Sequence, residues 1–198
     1  MTGVRVGGGR LSLRATAFRM HLGDTVANVT LSAQPGLITR QRQNLGSVRS
    51  QGIELDAEAR LGPVALSIGW LRSDARVRSF SADPTLVGRR VPQSPLNQAS
   101  ATVRYVGSGG QTLGIQGRWA GSQFDDDRNA FPLGTMRHVD AFLALPVAGP
   151  VVAFVAGENL VGGRYEVGRT PLVTLGPPRA VRFGVRVRLT PGRPAATD

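Results

Sequence analysis

The sequence contains no cysteine and no lysine, and it has no long hydrophobic run. The absence of cysteine excludes a disulfide scaffold, a zinc ribbon, an iron–sulfur centre and a thiol nucleophile. No apolar segment approaches the ~20 residues that a membrane-spanning helix requires, so a helical membrane protein is excluded. A transmembrane β-barrel is compatible with this pattern, because its apolar residues alternate with polar ones. The N-terminal residues also lack the apolar core of a signal peptide, so no export route is visible.

The charge is strongly one-sided. Among 198 residues there are 24 basic and 13 acidic side chains, a formal charge of +11, and every basic residue is arginine. A strongly basic composition is typical of nucleic-acid-binding proteins. Here the arginines are dispersed and few aromatic residues lie between them, so we predict no nucleic-acid partner. The hydrophobic fraction of 41% is sufficient for a folded chain.

Apolar and polar residues alternate with a period of two, which is typical of β-strands with one apolar face. The alternation is clearest in residues 53–61 and 181–189, and it recurs in residues 64–70, 99–105 and 113–119. Weaker candidates are residues 11–30, 136–146 and 151–160. Together they predict about eight strands, each long enough for the ~9–11 residues of a tilted membrane strand.

Short and long connections alternate along the chain. Short turns are predicted at residues 61–63, 107–111 and 148–150, and longer loops at residues 32–39, 79–95, 124–134 and 161–179. Trp70 and Trp119 fall near the long loops and Tyr105 falls beside a short turn, as two interfacial aromatic girdles require. The predicted fold is therefore all-β: an antiparallel transmembrane β-barrel segment of about eight strands with short periplasmic turns and long external loops.

The second face of the predicted strands is charged, which suits a water-filled lumen better than a packed interior. The residues predicted to face the lumen are Glu54, Asp56, Glu58, Arg104, Arg118, Arg182, Arg186 and Arg188. We expect the lumenal arginines to pair partly with Glu54, Asp56 and Glu58 and otherwise to favour anionic cargo.

Several segments resemble the barrel of TonB-dependent outer-membrane receptors. The first resembles that family's strand motif of spaced Asn, Gly, Ser, Gly and Glu residues, here Asn44, Gly46, Ser50, Gly52 and Glu54. A strand ending in Ser73-Asp74-Ala75 follows, and then a Gly-to-Pro approach to the next strand, from Gly88 through Pro92 to Pro95. Glu158-Asn159-Leu160 with Tyr165 is similar to a further family segment, and Pro178-Arg179 precedes the last strand as in the family.

The resemblance implies a function in transport. Members of the family have a barrel of roughly 22 strands with an N-terminal plug, and they import scarce ligands such as ferric siderophores, haem or cobalamin. Residues 1–189 are accordingly expected to be the C-terminal part of such a barrel in a bacterial outer membrane, and residues 190–198 a polar tail. The implied partners are outer-membrane lipid, the missing N-terminal strands and plug, the TonB complex acting through that plug, and a siderophore-like ligand. No enzymatic activity and no cofactor are expected.

Ligand contact is expected in the long loops. The candidate residues are Arg89, Arg90, Asp125, Asp126, Arg128 and Arg169. The run from Asp125 to Asp127 lacks the spacing and glycine of a calcium loop, so these carboxylates are predicted to be solvated. His21 and His138 have no neighbouring partner that would indicate a metal site or a general base.

Two alternatives remain open at this stage. One is a self-contained eight-stranded outer-membrane barrel that closes through its first and last strands. The other is a soluble basic β-sheet protein, such as a sandwich that buries its apolar faces against each other and binds nucleic acid.

Overall fold

The computed structural model describes residues 2–8, 10–34, 37–44 and 46–187. In these residues the chain forms fifteen strands and one short 3-10 helix, Pro84–Leu86. The strands are β1 (Thr2–Gly8), β2 (Leu11–Gly23), β3 (Val26–Gln34), β4 (Leu37–Asn44), β5 (Ser47–Leu61), β6 (Val64–Ser79), β7 (Asn97–Val106), β8 (Thr112–Ala120), β9 (Gln123–Phe124), β10 (Pro132–Leu133), β11 (Met136–Ala148), β12 (Val151–Glu158), β13 (Glu166–Gly168), β14 (Thr174–Leu175) and β15 (Ala180–Val187). No helix in the described ranges is both long and apolar enough to span a membrane.

Nine strands form one antiparallel sheet in the order β1-β2-β5-β6-β7-β8-β11-β12-β15. Each long strand pairs with the next long strand along the chain, so the sheet is a continuous meander of hairpins. This arrangement confirms the predicted fold class, with one strand more than the eight expected. The additional strand is β1, whose glycine-rich end pairs Gly7 with Ser12 and Gly8 with Leu11.

The prediction of one strand over residues 11–30 was wrong. The chain leaves the sheet after Gly23, and Asp24 has a left-handed backbone with a φ of 52°. Aspartate tolerates this conformation better than most residues, because its short side chain can bond to nearby groups. Residues 26–34 and 37–44 then form a separate hairpin, so residues 32–34 and 37–39, predicted as loop, belong to strands β3 and β4.

The main sheet has an apolar face and a charged face. On the apolar face Leu55 lies beside Trp70, Val103 beside Ile115 and Val155 beside Phe183. Trp70 is half-buried, and the other five side chains are exposed, with Phe183 reaching 86%. From Ile53 to Leu61 the apolar residues extend over about 27 Å of strand, which matches the ~25 Å apolar band of an outer-membrane barrel. An apolar surface of this extent is a membrane-contact surface, not that of a soluble monomer.

The hydrophobic core lies at the long-loop end and not within the sheet. Among the described residues it consists of Val29, Val48, Val77, Phe80 and Leu86, all at most 5% exposed. The β3–β4 hairpin and the loop after β6 thus pack against the ends of β5 and β6. The soluble sandwich is contradicted, because it requires the sheet's apolar face to be buried.

The self-contained barrel is also contradicted. In the described residues β1 pairs only with β2 and β15 only with β12, so the nine-stranded sheet has two open edges. An open edge exposes unpaired backbone donors and acceptors, which lipid cannot satisfy.

Gly52 provides a test of the strand packing. A Cβ atom at this position would overlap the carbonyl oxygen of Arg72 and approach the Phe18 ring to 2.9 Å. We therefore expect Gly52→Ala to destabilise the β5–β6 pairing by about 1–3 kcal/mol. The measurement is the urea midpoint of the complete receptor assembled in phospholipid vesicles.

Gly117→Ala is the matched control. Gly117 also lies within a strand of the main sheet, but a Cβ atom there would meet nothing within 4 Å. Its urea midpoint should correspond to a change within about 0.5 kcal/mol. Equal effects of the two substitutions would show that the close approach at Gly52 is not the cause.

Candidate ligand-binding loops and charged face

The acidic run in the loop between β8 and β11 is buried. Asp125, Asp126 and Asp127 are 8%, 4% and 6% exposed. The prediction that these carboxylates are solvated was therefore wrong. Buried carboxylates need hydrogen-bond donors, and the surrounding loops supply them.

Asp127 connects this loop to the β3–β4 hairpin. Its Oδ2 accepts a hydrogen bond from the Thr30 backbone amide at 2.8 Å, and its Oδ1 accepts one from the Thr30 hydroxyl at 2.7 Å. Asp126 organises its own loop, because it accepts from the backbone amides of Arg128, Ala130 and Phe131. The first carboxylate joins two elements and the second shapes the turn that follows it.

Asp125 connects the same loop to the last long loop. The Thr170 hydroxyl and the backbone amides of Thr170 and Arg169 donate to Oδ2, at 2.5, 2.9 and 3.0 Å. Gln93 donates to Oδ1 at 3.1 Å from the loop after β6. Burial alone would raise the pKa of Asp125, but these hydrogen bonds outweigh it and hold the pKa below its ordinary value.

Asn129 completes the connection to the loop after β6. Its Oδ1 accepts from the Arg90 amide at 2.8 Å, and its Nδ2 donates to the Arg90 carbonyl at 2.9 Å. The Asn129 side chain thus forms the same two hydrogen bonds with the Arg90 backbone that a neighbouring antiparallel strand would form. We call the interconnected residues the loop hub: Thr30, Arg90, Gln93, Asp125, Asp126, Asp127, Asn129 and Thr170.

The predicted ligand-contact arginines surround the loop hub in different ways. Arg89 and Arg128 are exposed, and Arg128 donates to the Thr30 carbonyl at 2.8 Å. Arg90 lies over the Phe124 ring, 5.9 Å from its centroid, and Arg169 pairs with Glu166 at 3.0 Å. The structure therefore brings the four cations to one end of the sheet, and two of them, Arg89 and Arg128, are exposed there.

The predicted lumenal residues share the charged face, as the strand registers show. They are Glu54, Asp56 and Glu58 on β5, Arg104 on β7, Arg118 on β8, and Arg182 and Arg186 on β15. Arg188 lies outside the described residues.

The ion pairs on this face differ from the expected ones. Asp56 pairs with Arg14 at 2.9 Å, and Glu54 lies 3.8 Å from the same guanidinium. Sequence reasoning missed Arg14, which lies on β2, because it falls in residues 11–30, a segment whose alternation is weak. Arg182 pairs with Glu158, and Arg186 lies over the Phe154 ring, 6.0 Å from its centroid.

Asp140 is a second charged residue of this face whose contacts the sequence did not indicate. It accepts from Arg118 at 2.9 Å, from the Asn159 amide at 3.0 Å and from His138 Nε2 at 2.7 Å. His138 is 5% exposed, and its Nδ1 lies 3.2 Å from the Tyr165 hydroxyl. The network ties β8, β11 and the root of the last loop together, and among the described residues no group of three potential ligands is placed to hold a metal ion.

The charged face also carries a cleft of about 350 Å³. Arg104 and Arg182 lie on its two sides, with Gln116, Phe142 and Glu158 between them. Among the described residues Arg104 has no carboxylate partner, so this cleft retains a free cation on the wall.

An open antiparallel sheet with an apolar outer face, a charged inner face and interlocked external loops defines a portion of an outer-membrane β-barrel receptor. The family model "TonB dependent receptor-like, beta-barrel" matches residues 2–160. The chain belongs to this family, whose members are transport receptors of the bacterial outer membrane.

Curated relatives and solved structures agree with the assignment. The chain is 32% identical over 120 residues to the ferrichrome outer membrane transporter/phage receptor of Escherichia coli K12, covering 58% of this chain and 15% of that protein. It is 30% identical over 138 residues to the ferrioxamine B receptor of Salmonella typhimurium LT2, covering 67% and 18%. The ferric yersiniabactin uptake receptor of Yersinia pestis has the same fold, with a TM-score of 0.75 at 22% identity, over 93% of this chain and 28% of that one. The chain thus spans less than a fifth of the curated relatives.

Asp125 makes the loop hub sensitive to acid. Because its folded-state pKa is lowered, ionised Asp125 stabilises the hub fully above the unfolded value of ~3.9, and this contribution is lost as the pH falls through the folded pKa. We expect the amides of Arg169 and Thr170 to lose hydrogen-exchange protection in that acidic range, after correction for intrinsic rates.

Asp125→Asn should remove this pH dependence and raise exchange of the two amides about tenfold at pH 7, since hydrogen bonds to a charged acceptor are lost. Asp83→Asn is the matched control, because the Asp83 carboxylate also has a lowered pKa but bonds only within its own turn, to Thr85. If Asp83→Asn deprotects Arg169 and Thr170 equally, the effect does not come from the Asp125 contacts.

Proposed function

We propose that residues 1–189 form the C-terminal part of the barrel of an outer-membrane receptor for ferric siderophores, followed by a polar tail in residues 190–198. The named cargoes of the curated relatives, ferrichrome and ferrioxamine B, favour a siderophore over haem or cobalamin. Uptake would require further barrel strands, a plug and the TonB complex. The open edges at β1 and β15 support such additional strands, because each edge needs a neighbour in lipid.

The observation that supports the proposal is that the loop hub holds together the two loop segments on which two exposed arginines lie. The paired hydrogen bonds between Asn129 and Arg90 hold two chain segments side by side. Arg89 and Arg128 directly adjoin these residues, and both are exposed. Guanidinium groups donate charge-assisted hydrogen bonds to oxygen acceptors, so this pair is placed to meet the exposed oxygen atoms of a ferric chelate at the mouth.

Asp125 and Asp126 have a different role in this proposal. Their carboxylate oxygens already accept several hydrogen bonds each from loop residues. We therefore propose that they position the loops, and that Arg90 and Arg169, which contact Phe124 and Glu166, act beside Arg89 and Arg128 as secondary contacts.

Ligand binding by the complete receptor tests the proposal. With ferric ferrichrome and ferric ferrioxamine B as probes, Arg89→Gln/Arg128→Gln should raise the Kd of the bound siderophore about tenfold or more, since two charge-assisted contacts are removed. Arg60→Gln is the control, because Arg60 is exposed at the opposite end of β5. Unchanged binding in the double variant, or no binding of either siderophore to the unmodified receptor, would overturn the proposal.

The charged face extends the proposal to passage through the lumen. Arg182 and Arg186 lie on β15 below the loops, and we expect them to favour an anionic ferric chelate. In the complete receptor, Arg182→Gln/Arg186→Gln should lower the uptake rate of an anionic ferric chelate while the Kd at the mouth stays unchanged. Iron-55 uptake measures the first quantity, and unchanged uptake would exclude the lumenal role.

A further inference from the structure

Two phenylalanines of the charged face each lie over a glycine of the neighbouring strand. Phe142 on β11 is directly opposite Gly114 on β8, and Phe154 on β12 is directly opposite Gly184 on β15. A Cβ atom on Gly114 would come within 2.6 Å of the Phe142 ring, and one on Gly184 within 2.9 Å of the Phe154 ring. Each ring therefore occupies the space that a side chain on the adjoining strand would otherwise fill.

The two rings differ in how they are covered. Arg186 lies over the Phe154 ring, 6.0 Å from its centroid, and forms a cation–π contact. Phe142 has no such contact with any described residue, and it is 40% exposed. Arg104 lies directly opposite Gly114 on the other side, so Arg104 and the Phe142 ring line the same cleft without stacking on each other.

The Arg104 guanidinium is not neutralised by the carboxylates of this cleft. Glu158 is paired with Arg182, and Asp140 is paired with Arg118. Arg104 forms neither an ion pair nor a side-chain hydrogen bond with the part of the chain that the structure describes. An anion that enters the cleft would therefore meet one available cation.

The size of the cleft limits what can fill it. Its volume of about 350 Å³ is at the lower end of the range for small-molecule sites, ~300–1,000 Å³. A cavity of ~150 Å³ is sufficient for benzene, so the cleft has room for one substituted ring. Thr102 and Gln116 supply a hydroxyl and an amide to one part of the wall, and Phe142 and Ala156 supply apolar surface to the other.

An aromatic carboxylate matches both parts of this wall. A guanidinium group can bind a carboxylate through two parallel hydrogen bonds, and an uncovered aromatic ring favours offset stacking with a second ring. We propose that the cleft binds a single aromatic ring bearing a carboxylate, which pairs with Arg104 and stacks on Phe142. The site lies on the lumenal wall, away from Arg89 and Arg128. This inference rests on the lumenal placement of the charged face in the proposed receptor, and it is independent of the identity of the siderophore.

The test uses the complete receptor in detergent micelles, with 4-fluorobenzoate as the probe and fluorine NMR as the measure of its Kd. Arg104→Gln should weaken binding about tenfold, because a charge-assisted pair is lost. Phe142→Leu should weaken it about threefold, because the stacking partner is lost.

Matched controls lie on the same face and outside the cleft. Arg60→Gln removes the same charge, and Phe154→Leu removes a ring that also lies over a glycine. Each control should change the Kd of 4-fluorobenzoate less than twofold. Equal weakening by the controls and by the cleft variants would overturn the proposal, because it would indicate a general effect of lumenal charge or packing.

Three comparisons need no substitution and therefore do not depend on the folding of a variant. The unmodified receptor should bind neutral 4-fluorobenzamide about tenfold more weakly than 4-fluorobenzoate. Cyclohexanecarboxylate at the same concentration should not displace 4-fluorobenzoate. Equal binding of the amide, displacement by the aliphatic acid, or no binding of 4-fluorobenzoate would each contradict the proposal. Ferrichrome and ferrioxamine B binding measured on the same samples distinguishes these outcomes from failure of the receptor function.

The ring could reach the cleft as a free acid or as the end group of a larger ligand. A benzoate coupled to a short Gly-Ser peptide distinguishes these two sources. Displacement of 4-fluorobenzoate by the conjugate would support a site for end groups, and displacement by free benzoate alone would support a site for small acids. Displacement by neither compound would overturn the proposal.

Discussion

The structure depends on one constraint: a chain in lipid must satisfy every backbone donor and acceptor within the protein. The antiparallel meander meets this requirement strand by strand, and it fixes a period of two in every long strand. All irregular backbone is then confined to the two ends of the sheet. The turns at one end are short, so the residues that can build a ligand site lie in the long loops at the other end.

The long loops satisfy their backbone groups and bury apolar side chains through a small hydrophobic core and a set of buried carboxylates. Val29, Val48 and Val77 pack where the β3–β4 hairpin meets the main sheet. Beyond that core, the acidic run supplies acceptors for backbone amides that have no strand partner, because each carboxylate can accept several hydrogen bonds. A carboxylate can be buried in this way only where its oxygen atoms have enough hydrogen-bond donors. Asp125 meets that condition, because Thr170, Arg169 and Gln93 donate to it.

Much of this fold could be predicted from the sequence, since alternation in strands such as β5 and β15 directly records which face meets lipid. The same pattern placed Glu54, Asp56 and Arg182 on one face correctly. It could not reveal the break at Asp24, because a single left-handed residue leaves alternation on both sides intact. It also could not show that Asp125 and Asp127 are buried, because their partners Thr30, Gln93 and Thr170 are distant in sequence and meet them only through loop packing.

The register of strand pairing determines which environment each side chain of a strand meets: lipid, lumen or the core beneath the loops. Strand β6 is the clearest example. Trp70 and Arg72 point to the apolar face, while Val77 lies on the opposite side in the core beneath the loops. A shift of one residue would exchange these faces along the whole strand, placing Arg72 among the lumenal groups and Val77 outside the core. The bulge between Ser47 and Val48 lies next to that core, at the point where the chain leaves the sheet. Lipid contact, loop packing and the position of the candidate ligand residues are therefore set by the same pairing, so none of them can change independently of the other two.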